Sequence, residues 1–135
     1  MFVVDASVAG AWYLPDESDP LADTAALRLN AESAMVSALF WFELRNIFLI
    51  GERKGRISEA DTARFLSNLA RLPITTDREP NEIAVFHLAR THRLSIYDAA
   101  YLELAQRMSA PLASLDNALV KAARAEKVAL LGVAK

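Results

Sequence analysis

Met1-Phe2-Val3-Val4-Asp5-Ala6-Ser7-Val8 reads as a short strand running straight into a helix. Phe2, Val3 and Val4 are apolar and partly β-branched, and the run is too short for a helix. Asp5 then supplies turn and cap chemistry. A strand with no polar alternation is covered on both faces, which is the habit of parallel sheets. Working outward, residues 8–14 suit a short helix ended by Pro15, because the residue before proline avoids the helical region. Asp19 and Pro20 form an N-cap and first-turn pair that opens a helix to about Asn30. Residues 34–37 are a second strand, and residues 39–54 a long helix ended by Gly55.

Ser58 and Asp61 make a capping-box pattern for a helix to about Arg71, followed by a weak strand over residues 73–75. Helices are expected over residues 81–91, 96–108 (capped by Ser95) and 117–125. Strands are expected over residues 112–115 and 128–131. Strands alternating with helices predict one α/β domain over residues 1–135: a three-layer α/β/α sandwich on a twisted, mainly parallel sheet. Ligands of such sheets bind at the carboxyl ends of the strands, where Asp5 and Asp116 are expected to sit.

The apolar fraction of 53% excludes a disordered chain, and the absence of cysteine excludes disulfides and thiolate metal sites. His87 and His92 cannot make a zinc site alone and read as surface or packing residues. Met1 is followed at once by Phe2, with no basic leader, and no apolar run approaches the roughly 20 residues that span a bilayer. The cytoplasm, with no membrane partner, is the expected location. The net charge of −2 does not settle the partner, because setting four acids aside turns it into +2.

Those acids are Asp5, Glu43, Asp98 and Asp116, each breaking or capping an apolar segment. Asp5, Asp98 and Asp116 each have a capping explanation when read alone. Glu43 resists one: it stands on a nearly all-apolar helix, shares a face with Asn46, and must pair with an arginine or bind a metal if buried. On the helix after Ser95, the polar face reads as Glu103, Gln106 and Arg107, with Asp98 turned away from it. Ser7 and Ser114 add hydroxyls beside Asp5 and Asp116. Two like charges about 4 Å apart cost roughly 4 kcal/mol at an effective dielectric near 20, so a fold that gathers such acids calls for a divalent cation. With oxygen ligands alone, that cation is Mg²⁺ or Mn²⁺. Arg53, Lys54 and Arg56 read as a solvated helix end, and Trp12, Phe40, Trp41, Phe42 and Phe48 as mostly core. The apolar excess on residues 39–50 leaves room for a partner patch.

The order and setting of these acids resemble the PIN-domain nucleases, and more closely the VapC toxins of toxin–antitoxin pairs. The resemblance lies in Val3-Val4-Asp5-Ala6-Ser7-Val8 with Trp12-Tyr13-Leu14-Pro15-Asp16-Glu17, and in Phe42-Glu43-Leu44-Arg45-Asn46. It continues in Tyr97-Asp98-Ala99-Ala100-Tyr101-Leu102-Glu103-Leu104-Ala105 and Ala113-Ser114-Leu115-Asp116-Asn117-Ala118-Leu119. It covers nearly the whole chain. Ser114 departs from the pattern, since the family more often carries threonine there, but the hydroxyl is kept. The resemblance implies a PIN-like fold and a Mg²⁺- or Mn²⁺-dependent endoribonuclease held inactive by a VapB-type antitoxin. Structured RNA such as tRNA or rRNA is the implied substrate, and a homodimer the implied assembly. Asp5, Glu43, Asp98 and Asp116 carry over as catalytic metal ligands, with Ser7, Asn46 and Ser114 as supports. A phosphoacceptor receiver domain would also set acids and Mg²⁺ at a sheet's mouth. Here, however, Asp5 has no adjacent acid, and the only lysine after the last expected strand is Lys135. A PIN-like module used only for protein binding is the remaining alternative, and the presence of all four acids argues against it.

Overall fold

A computed structural model describes residues 1–132, so Lys135 lies outside the described residues. In chain order the elements are β1 (Phe2–Val4), α1 (Ala6–Ala11), α2 (Pro20–Arg28), β2 (Ala34–Val36), α3 (Phe40–Arg53) and α4 (Glu59–Leu69). There follow β3 (Ile74–Thr76), α5 (Glu82–His92), α6 (Ile96–Met108), β4 (Leu112–Ala113) and α7 (Asn117–Ala125). The four strands form a parallel sheet in the order β3-β2-β1-β4. Phe2, Val3 and Val4 are wholly buried, as a central strand covered on both faces requires. No helix among the described residues is long and apolar enough to cross a membrane.

Crossover handedness explains the layers. The chain steps from β1 to β2 to β3 in one direction and then jumps back across to β4. Right-handed crossovers therefore place α1–α4 on one face and α5–α7 on the other. The packing agrees, with α1 against α2 and α3, and α6 against β1, β4, α5 and α7. The direction reverses between β1 and β4, and that switch point opens a crevice at the strands' carboxyl ends.

Several expected boundaries move. The first helix starts at Ala6 rather than Val8, because Asp5 itself is its N-cap. The helix after β2 starts at Phe40, with Leu39 as an N-cap that offers no side-chain bond. The expected strand over residues 128–131 contracts to one parallel bridge, Leu112 to Leu130. Gly10 allows α1 to lie close on α3: a Cβ there would stand 3.3 Å from Ile47 Cγ2. Phe42, expected in the core, is 70% exposed because it points away from the buried stripe of Phe40, Leu44 and Phe48.

Candidate active site

All four acids stand at helix N-termini. Asp5 is the N-cap of α1, Asp116 that of α7, and Glu43 and Asp98 lie in the first turns of α3 and α6. Each such terminus favours a negative charge through its unpaired N–H groups. Glu43, which resisted a helix-end explanation in the sequence, acquires one because α3 begins just before it.

Asp5 is buried at the end of β1. Its Oδ1 accepts from the Ser7 hydroxyl at 2.6 Å and the Val8 N–H at 3.1 Å, and its Oδ2 from the Ser114 hydroxyl at 2.5 Å. The same serines are acceptors in turn: Ser7 Oγ from the Leu115 N–H at 3.0 Å, Ser114 Oγ from the Asp116 N–H at 3.0 Å. Two hydroxyls thus staple the end of β1 to the turn after β4, across the switch point. Burial pushes the Asp5 carboxyl above its ordinary value, the hydroxyl and N–H donors offset part of this, and the Asp116 charge adds to the rise.

Glu43 has no arginine partner among the described residues. Its Oε1 accepts from the Tyr101 hydroxyl at 2.9 Å. Burial raises its pKa, and the Asp98 and Asp5 charges raise it further. Burial also raises Asp98, with the charges of Asp116 and Asp5 behind it. Ser95 caps α6 through the Asp98 N–H at 3.1 Å, while the reciprocal half of the capping box is not made. In the Ser58–Asp61 box both halves are present. The Asp98 carboxylate is thereby left to face the other acids. Asp116 Oδ1 accepts from the Leu119 N–H at 2.9 Å. Asn46 is exposed and makes no hydrogen bond to the four acids among the described residues.

The structure therefore brings Asp5 and Asp98 within reach of the Asp116 charge and Glu43 within reach of Asp98 and Asp5, and none of the four has an ion-pair partner among the described residues. No group of three or more acids or histidines among the described residues stands in an arrangement that would hold a metal ion as it is. As a donor set the four still fit a hard divalent cation: all oxygen, anionic, partly desolvated and uncompensated by any cation.

Two features escaped the sequence reading. Glu103, expected on the polar face of α6, is buried. It accepts from Arg107 Nε at 2.7 Å and from the Asn81 N–H at 3.4 Å, while Arg107 also reaches Asp77 at 2.6 Å. Helical spacing could not show this, because Asp77 and Asn81 arrive from the loop between β3 and α5. Tyr101, in sequence only one member of the motif after Asp98, supplies the hydroxyl that donates to Glu43. Arg56 pairs with Asp16 and Glu17 rather than standing free, and His92 meets Glu126 at 2.6 Å.

The PIN domain family matches residues 2–125. Ribonuclease VapC3 of Pyrobaculum aerophilum is 31% identical over 123 residues, 88% of this chain and 92% of that protein. The crystal structure of PAE2754 from Pyrobaculum aerophilum has a TM-score of 0.71 at 23% identity, over 90% of this chain and 83% of that one. Mycobacterium tuberculosis VapC20, described as a sarcin–ricin-loop-cleaving toxin, has a TM-score of 0.62 at 14% identity, over 90% of this chain and 95% of that one. At those identities the two structures speak for the fold, while the family match and the VapC3 identity speak for descent. The chain belongs to the PIN-domain family, on its VapC branch.

Proposed function

We propose that this protein is a divalent-metal-dependent endoribonuclease that hydrolyses RNA phosphodiester bonds as the toxin of a VapBC-type pair. The observation that carries the reading is the meeting of four uncompensated carboxylates at the switch point of a parallel sheet. Asp5, Glu43, Asp98 and Asp116 are the residues that would hold Mg²⁺ or Mn²⁺. When bound, the ion supplies Lewis-acid polarisation of a phosphate oxygen and lowers the pKa of water.

The chain's own residues prepare that chemistry. Ser7 and Ser114 fix both oxygens of Asp5, so the innermost carboxylate has one orientation. Asp98 takes no reciprocal bond from the Ser95 N–H, which leaves its carboxylate available to orient an incoming water. The N-termini of α1, α3, α6 and α7 turn their dipoles towards the same crevice, which suits a phosphodiester as well as the acids. Structured RNA such as tRNA or rRNA is the substrate class, read by its shape. A VapB-type antitoxin and a second copy are the expected partners in the cytoplasm. Exposed Phe42, Leu49 and Ile50 on α3 offer apolar surface to such a partner.

Antitoxin-free protein incubated with total RNA tests the reading. Cleavage is expected with Mg²⁺ or Mn²⁺, none with excess chelator, and a loss of at least about a hundredfold in Asp5→Asn or Asp98→Asn. Cleavage that survives the chelator and both substitutions would sink it.

A further inference from the structure

Tyr101 is 1% exposed and sits on α6 three residues beyond Asp98. Its hydroxyl donates to Glu43 Oε1, from a helix 58 residues away in sequence. The Ser37 hydroxyl is buried beside this phenol without meeting hydrogen-bond geometry, so the phenol's one well-formed bond is to Glu43.

We propose that Tyr101 is the residue that positions Glu43 for the divalent ion, an inference that rests on the metal-site reading above. A glutamate side chain has three rotatable torsions, and the charges of Asp98 and Asp5 act against the ionised form of this one. The phenol engages Oε1, while Oε2 accepts no hydrogen bond among the described residues and stays available to an ion. A phenylalanine would fill the same volume, so the hydroxyl is the part that packing does not account for. The donor is also neutral. An arginine in its place would hold Glu43 equally well but would cancel the charge the ion needs. Asp5 is held in the same way by the neutral hydroxyls of Ser7 and Ser114. The two inner acids are thus oriented without being neutralised, which is how outer partners tune a metal site.

Tyr101→Phe tests the assignment, with Mn²⁺ affinity by calorimetry as the first readout and kcat and KM on RNA as the second. Affinity and kcat are expected to fall roughly 10- to 100-fold. KM for RNA and the Tm in chelator should stay close to wild type. Adding the same substitution to Glu43→Gln should cost no further Mn²⁺ affinity. Wild-type affinity in Tyr101→Phe, or an equal extra loss in the Glu43→Gln background, overturns the proposal while leaving the metal site standing. A wild-type chain that binds no Mn²⁺ overturns both. The near-ultraviolet absorption of a buried tyrosine should also shift when Mn²⁺ binds, and Glu43→Gln should abolish the shift. A Mn²⁺-binding wild type with no such shift overturns the assignment even if Tyr101→Phe does not fold.

Discussion

At Asp98 the carboxylate has burial and the charges of Asp116 and Asp5 against it, with only the Ser95 hydroxyl offsetting them. Asp5 and Glu43 are raised for the same reasons. For an acid whose folded value lies above its unfolded one, the native state binds more protons between the two values. Stability therefore falls as pH rises from the ordinary carboxylate range through the folded value. Surface acids such as Asp16, Glu32 and Asp61 are held low by their partners and act in the opposite sense. Their contribution is complete above about pH 5. Metal-free protein should thus lose Tm as pH rises above the ordinary carboxylate range. Asp98→Asn should raise Tm in chelator at pH 7.5 by roughly 2–4 °C and flatten that decline, as differential scanning calorimetry would record. A lower Tm for Asp98→Asn at pH 7.5 would mean that the carboxylate is not strained by its neighbours.

The helices show what could be read along the chain and what could not. The first strand and its turn were legible because Phe2, Val3 and Val4 are apolar without alternation and Asp5 is a local cap. The Ser58–Asp61 capping box and the Asp19–Pro20 helix start were legible for the same reason: their partners lie within four residues. The four acids were legible as breaks in apolar runs, although only the fold could turn them towards one another. Glu103 was not legible, since its burial depends on Arg107 one turn on and on Asp77 and Asn81 from another layer. That network ties α6, and so Asp98, to the loop before α5. Removing its one cation leaves a buried carboxylate uncompensated, at a cost of about 3 kcal/mol. Arg107→Met should lower the urea midpoint accordingly, and adding Glu103→Leu should restore most of it. Failure of the second substitution to recover stability would show that Arg107 acts through Asp77 alone.

For the whole molecule, the reversal of strand order decides where the charge collects. Crossovers in one direction bring α1 and α3 to the crevice, and the jump back to β4 brings α6 and α7. Four acids scattered along the chain therefore meet at one mouth, in a molecule whose net charge is only −2. Without an ion, that mouth repels the phosphate backbone the site is proposed to cut. The carboxylates proposed to serve hydrolysis therefore oppose binding in the metal-free state. Replacing Asp98 and Asp116 by asparagine brings the net charge to zero and removes half of the acidic cluster. Metal-free RNA affinity, measured by filter binding in chelator, should rise roughly tenfold at low salt, and the gain should shrink towards physiological ionic strength. Cleavage by the same variant with Mg²⁺ should vanish. Gain of binding together with loss of turnover is the pattern expected of residues that hold a catalytic ion rather than contact the RNA. Carboxylates that bonded the RNA directly would lose both.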